Sequence, residues 1–441
     1  MLVKQQAELD RLRSELDALH KAAPATDSTA VSATSATGTA DPSSAVATST
    51  VVAPAGTAAP GAQPDADVSK RVDSLEKLLA NIKFSGDVRF RYEGFFGQGF
   101  DGPVDLDPRS RYRIRARLAL TSKIDNHFDW GLRLTTGSFD DPISYNQTLT
   151  DFYNRKVFAV DRAFLHYTTD TKPVNLDVYA GKFDFTWKRT ALTFDSDLQP
   201  EGLSERAKWS VPGDSWLKSV TFTAWQLPFK ERSIGADAYI YGGQILTDWK
   251  FNDNWSGSLS GTFQDFEQAN LIPQNSPVSP TLVNAGLELF PTNAIVINPY
   301  TNLPEFRSKF RPIDVIADVT YRGLHPRFPI HVLGEWLHNT SAYNGQDNGT
   351  EATIEVGQRK EQGDLYFDYA FFKAEREVYP SVFMESDVLT TNGVNHWVTA
   401  AIMLRKNIEF SGRLFFERRL VTINPDNRWL KRFQLDMVYY F

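Results

Sequence analysis

The sequence predicts an all-β protein: a 16-stranded antiparallel barrel that crosses a membrane, preceded by a helical, coiled-coil segment and a disordered linker. Three observations carry this. From residue 82 to the end, apolar and polar side chains alternate with a period of two. The connections between alternating segments are by turns long and short, "GFFGQGFDGPVDLDPR" then "KIDN", "FDDPISYNQTLTDFYNR" then "DTKP". The last segment, "WLKRFQLDMVYYF", alternates up to a final aromatic. A strand sends successive side chains to opposite faces, so alternation gives each strand one apolar and one wet face. A membrane barrel has short turns at one end and longer loops at the other. Sandwiches and propellers have no reason to alternate in this way.

Composition bounds the rest. The 441 residues are 41% hydrophobic with a formal charge of −7, and the mean hydropathy is −0.36. This is neither a disordered nor a helical-membrane composition, and no apolar run reaches the roughly 18 residues of a transmembrane helix. Mild acidity argues against nucleic acid as a partner. Cysteine is absent, which excludes disulfides and thiolate metal sites and suits passage through an oxidising periplasm. Aromatics at 13% fit strands and interfacial belts. The start, "MLVKQQAELDRLRSELDALH", shows no apolar signal core. It is expected to be a mature or truncated beginning, a cytoplasmic chain being the other reading.

Residues 1–21 read as a short coiled-coil helix: Leu2, Leu9 and Leu16 recur at one heptad position, Leu12 and Leu19 at the next apolar one. About three heptads make a marginal helix alone. Residues 22–66 are Ala/Ser/Thr/Pro-rich and read as a disordered linker. A second short heptad helix is expected over 67–81, where Val68, Val72, Leu75 and Leu79 lead to Ile82. It suits a solitary amphipathic helix and a subunit-joining coiled coil equally. The barrel domain is 82–441. Strands are expected near 82–93, 110–122, 126–138, 156–168, 174–185, 200–211, 216–227, 236–250 and 254–267. Seven more are expected near 310–323, 328–340, 352–361, 363–377, 394–406, 408–421 and 429–441. Their lengths match or slightly exceed the 9–11 residues of a tilted membrane strand. Only the Pro-rich connection 268–309 is long enough to supply a plug.

Arg111, Arg113, Arg115 and Arg117 occupy every second position of "SRYRIRARLAL", and Arg89 and Arg91 do the same in the strand before. On strands they share a face, opposite Val88, Phe90 and Tyr92, and are expected to form a pore-lining basic track. A soluble sheet face and a wall neutralised by neighbouring carboxylates remain the alternatives.

The segments "FSGDVRFRYEG", "RSRYRIRARLAL", "TGSFDDPISYNQT", in which Tyr145 is not part of the likeness, "VDRAFLHY", "YAGKF" and "DSDLQPEGL" together resemble a bacterial outer-membrane porin of the "putative porin" type. The N-terminal seam is more loosely similar to that of phosphate-selective porins. The resemblance implies a 16-stranded, homotrimeric diffusion channel in a Gram-negative outer membrane, and no specific substrate. It also implies that the third long loop folds inward, which makes Lys188, Arg189, Asp195 and Asp197 the candidate constriction; a loop that stays outside is the alternative. Phe433, Leu435, Met437, Tyr439 and Phe441 resemble the C-terminal signal that the barrel-assembly machinery reads.

Enzymatic chemistry is not expected, since seven scattered histidines accompany no HExxH or GxSxG motif. Nor is a cofactor or metal. Asp140, Asp141, Asp195 and Asp197 lack the EF-hand pattern and read as turn residues of solvated loops. Two functional readings stand. One is a porin passing ions and small hydrophilic solutes, anion-leaning, with outer-membrane lipid as its surroundings. The other is a non-conducting structural or adhesion barrel with a periplasmic tether.

Overall fold

The computed structural model describes residues 81–96, 108–139, 141–149, 152–169, 171–275, 293–421 and 428–441. The expected helices and linker before Asn81, and Asp140, lie outside these residues.

Sixteen strands form the wall. The first eight are β1 (Ile82–Phe96), β2 (Arg109–Lys123), β3 (Phe128–Thr136), β4 (Phe158–Thr168), β5 (Val174–Lys182), β6 (Glu201–Ser210), β7 (Leu217–Lys230) and β8 (Ala238–Lys250). The second eight are β9 (Trp255–Glu267), β10 (Pro312–Tyr321), β11 (Ile330–Asn339), β12 (Asn348–Gly357), β13 (Leu365–Ala374), β14 (Gly393–Arg405), β15 (Ile408–Arg419) and β16 (Leu430–Tyr440). Each pairs antiparallel with its sequence neighbour, and β16 pairs with β1 from Asp87 opposite Tyr440 to Phe96 opposite Lys431. That last ladder closes the sheet, so no wall edge is left unpaired. Where β3 ends, the two-residue strand Gln147–Thr148 continues the ladder on the upper part of β2.

Burial runs opposite to that of a water-soluble domain. On β1, Val88 and Phe90 are nearly half exposed, while Arg91 and Glu93 are 4% and 0% exposed. In water the apolar row would turn inward and the charges outward. A membrane reverses the assignment, because lipid accepts apolar side chains and closed ladders satisfy every backbone group. The inner face carries the charge.

Strand limits move where the backbone turns. The segment expected at 352–361 runs as β12 from Asn348, already opposite His338, and stops at Gly357. Gly357 adopts φ 98, a region that side chains resist, so Arg359 and Lys360 enter the turn instead of the strand. β13 ends before 377 because the following chain bends inward: Val378 is fully buried and Glu377 N–H donates to Gln346 O at 2.8 Å.

Three long connections share an apolar cluster: L3 (183–200), L5 (268–311) and L7 (375–392). L3 supplies Phe183, Trp187 and Phe194, L5 Phe310, and L7 Tyr379 and Met384. Trp187 stacks on Trp225 of β7 with ring centroids 4.1 Å apart, which fastens the cluster to the wall. The segment 268–309, weighed as a plug, enters this cluster through Ala269 and through a short hairpin of Ile295–Ile297 with Pro304–Phe306.

Candidate functional site: the charged lumen

Strand parity sets the site. On β1, Asp87, Arg89, Arg91 and Glu93 all face inward, and register places Arg117, Arg115, Arg113 and Arg111 of β2 opposite them. β16 adds Arg432, Gln434 and Asp436 from the other side. Thus all six arginines of the track lie on two adjacent strands, with carboxylates set among them.

Pairing is dense. Arg91 binds Asp436 through Nε and Nη2, both at 2.7 Å. Asp87 takes Arg115 at 2.7 Å and Arg117 at 2.5 Å. Glu93 accepts from Arg111 and Arg432, with Arg113 at 3.8 Å. Arg432 also reaches Asp387 of L7 at 2.5 Å. Bidentate and shared guanidinium–carboxylate contacts of this kind hold side chains in place as well as balance charge. Arg89 differs. Its Nη2 donates to Asn146 at 2.6 Å, its nearest carboxylate is Asp436 at 3.9 Å, and its buried Nε has no partner among the described residues.

L3 lies inside the barrel. Gln244 of β8 accepts from Lys188 N–H at 2.8 Å and donates to Lys188 O at 2.7 Å. Lys188 Nζ pairs with Asp318 of β10 and donates to Ser258 of β9 at 2.6 Å. Thr190 donates to Glu335 of β11. L7 fixes the far side, with Asp195 N–H donating to Phe383 O at 2.7 Å and Glu385 N–H to Ala191 O at 3.2 Å. Arg189 turns back onto its own loop, donating to Phe194 O at 2.7 Å. So Lys188, Arg189, Asp195 and Asp197 are one loop but not one cluster: Lys188 meets the β8–β10 wall, Asp195 meets L7, and Asp197 accepts from Tyr145 N–H in the β3–β4 connection. Asp195 is 1% exposed, which corrects the solvated-loop expectation for it. Its neighbours in the fold, not in the sequence, remove the water.

Burial, reinforced by Glu385 and Asp197, pushes the Asp195 carboxyl up to about 8. Burial, with Asp387 and Asp197 adding to it, raises Glu385 to about 7. Burial also works to raise Asp387, but Arg432 and Arg91 outweigh it and hold that carboxylate well below the usual range. Around these groups lies a polar cavity of about 210 Å³, bounded by Arg89, Arg91 and Arg413 on the wall and by Asp195, Asp197 and Glu385 on the loops.

Lys188→Met is expected to loosen L3. Removing one member of a buried ion pair costs about 3–5 kcal/mol, and with Lys188 still 18% exposed the lower end applies. Single-channel recordings should show raised conductance and more current noise. Wild-type traces from the variant would mean that the Gln244 clamp alone holds the loop.

Sequence reasoning missed several members of this site. Asp87 and Glu93 share the parity of Arg89 and Arg91 and were legible by that rule alone. Arg413 shares the parity of the buried Glu409 and Glu417 on β15 and was legible in the same way, whereas Glu385 and Asp387 carried no such signal beyond the unusual apolar content of L7, where Val378, Tyr379 and Met384 are fully buried. Phe433, Leu435, Met437, Tyr439 and Phe441 face outward, and Phe441 stacks on Phe84 of β1 at 5.5 Å. Among the described residues, no group of three or more His, Asp or Glu side chains is placed to hold a metal ion.

Residues 104–362 match a family described as "Putative porin". Among solved structures, the fold is similar to that of OprB from Pseudomonas putida, with TM-score 0.52 and 13% identity over 85% of this chain and 97% of that one. OmpT of Vibrio cholerae, as a loop-deletion mutant, gives 0.44 and 11% over 82% and 99%. A mutant porin of Rhodopseudomonas blastica gives 0.41 and 10% over 82% and 100%. At such identities the likeness speaks to the fold alone. No curated protein matches the sequence.

Proposed function

The chain belongs to the "Putative porin" family, whose match spans more than half of it, and on that premise we propose a water-filled outer-membrane channel for passive diffusion of ions and small hydrophilic solutes, leaning toward anions. The observation that carries the lean is the charge ratio where the β1–β2–β16 inner wall meets L7. There seven arginines, the six of the track and Arg432, share the four carboxylates Asp87, Glu93, Asp387 and Asp436. Arginine keeps its charge at any working pH, and basic rings favour anions. Screening over a Debye length of about 8 Å makes this lining count for more than the −7 of the whole chain.

The loop carboxyls tune the field with pH. With Asp195 at about 8 and Glu385 at about 7, both are largely protonated at pH 6 and ionised at pH 9. Raising pH adds negative charge to the cavity, so anion preference should fall between these values. The test is reversal potential under a salt gradient in planar bilayers. Wild type at pH 6 should be modestly anion-selective, less so at pH 9, and Arg113→Ala with Arg115→Ala should move the potential toward zero. A cation-selective wild type at pH 6, or an unmoved double variant, overturns the lean.

The apolar cluster of L3, L5 and L7 favours a second reading, a barrel that anchors without conducting. Absence of any conductance step would select it. In either reading we assign 1–21 and 67–81 to helices joining subunits of a homotrimer, with 22–66 as the linker between them and 82–441 as the barrel. The outward row ending at Phe441 is assigned to recognition by the barrel-assembly machinery.

A further inference from the structure

We propose that the cavity between the β1–β2–β15 wall and loops L3 and L7 binds small zwitterions in transit, α-amino acids being the type, with the carboxylate at Arg89 and the ammonium at Asp197. This rests on the channel reading above and names a solute class for it.

Opposite charges face each other across the cavity without pairing. Arg89 is 91% buried and its Nε has no partner among the described residues. Arg413 donates from Nε to Thr399 at 2.8 Å, and among the described residues no carboxylate lies within 4 Å of it. On the loop side, among the described residues, Asp195 accepts from backbone N–H groups alone, those of Asp197 at 2.7 Å and Ser386 at 2.8 Å. Asp197 accepts Tyr145 N–H at 3.1 Å. Among the described residues, no Lys or Arg nitrogen lies within 4 Å of Asp195, Asp197 or Glu385. Yet Arg89 is within electrostatic reach of Asp197, and Arg413 of Glu385. The gap is wide enough to leave both sets of charges unsatisfied by each other and narrow enough for one small solute to touch both.

Each simpler solute fits worse. A bare anion gains at Arg89 but meets the Asp197 carboxylate opposite, and a bare cation meets the reverse. A zwitterion forms charge-assisted hydrogen bonds at both ends. Size sets the rest. At about 210 Å³ the cavity lies below the roughly 300 Å³ at which sites for drug-sized ligands begin, so the solute is a few heavy atoms long. Arg89 is then a guanidinium anchored through Nη2 to Asn146 at the cavity wall, where it meets the solute carboxylate.

The experiment uses the full chain in planar bilayers at pH 7, with glycine, N-acetylglycine and glycinamide as probes of ion-current block. Glycine carries both charges, N-acetylglycine only the carboxylate, and glycinamide only the ammonium. Glycine should block at about tenfold lower concentration than either, the effect of one charge-assisted hydrogen bond. Asp197→Asn should erase the advantage of glycine over N-acetylglycine, and Arg89→Gln its advantage over glycinamide. Equal block by glycine and N-acetylglycine in wild type would make the cavity a plain anion site and overturn the proposal. So would variants that fold, conduct and keep the glycine preference. A wild-type protein that does not conduct fails the channel reading itself, a different outcome.

Discussion

Glu93→Ala should lower barrel stability by about 3–5 kcal/mol, the usual cost of leaving buried charge without its partner. Glu93 is fully buried, accepts from Arg111 and Arg432, has Arg113 at 3.8 Å and takes a hydrogen bond from Gln434 at 2.9 Å. Removing it leaves three guanidiniums facing one another, with Asp387 the remaining carboxylate for Arg432. Glu93→Gln keeps the shape and an acceptor oxygen, so its loss should be smaller. The measurement is the denaturant midpoint of refolded barrel in detergent, followed by the shift between compact and unfolded bands on a gel. A Glu93→Ala midpoint equal to wild type would mean that lumen water already solvates these arginines. Because the same change removes negative charge, the surviving channels should also lean further toward anions.

Gly86→Leu should prevent closure. Gly86 sits where β1 meets both neighbours: a Cβ there would lie 2.1 Å from Arg117 O on β2 and 2.7 Å from the Phe441 ring. Its N–H donates to Phe441 O at 2.9 Å, and Phe441 N–H donates back to Gly86 O at 3.1 Å. A larger side chain must push the backbone of β2 away on one side or break the pair with residue 441 on the other. An open barrel exposes two unpaired edges in lipid, at several kcal/mol for each unsatisfied group. The compact, heat-modifiable gel band should therefore disappear. Phe441→Ala keeps both backbone bonds and loses ring stacks on Phe84 and Tyr439, worth about 0.5–1.5 kcal/mol each, so it should still close. A closed barrel from Gly86→Leu would show that the last ladder tolerates a wider spacing than the structure holds.

The wall was legible because its code is local. A period of two survives any error in strand ends, so sixteen strands and the inward arginines follow from parity, although β12 slid by four residues at Gly357. What neutralises those arginines was half legible. Asp87 and Glu93 lie on the same strand as Arg89 and Arg91, but Asp436 reaches Arg91 across 345 residues of chain, when β16 closes on β1. Loops obey no period. The inward course of L3 came from resemblance alone, and L7 gave only the hint of buried-type residues such as Tyr379 in a connection. The polar cavity exists because those two loops meet, a fact that no window of sequence contains.

The apolar cluster has a consequence for how this surface can change. Loops of a barrel are ordinarily replaceable one at a time, since each hangs from its own pair of strands. Here L3, L5 and L7 share a core: Phe194 lies edge-on to Tyr379, and Tyr379 to Phe266 beside L5. Transplanting one of the three would leave the other two with an unfilled hole, at about 3–5 kcal/mol for each lost aromatic. Substitutions at this end of the protein are then tolerated freely in L4 (231–237), whose Ile234 is 84% exposed, and come only in matched sets in the other three. Grafting a foreign epitope onto L4 should leave a folded channel, where the same graft in L7 alone should not.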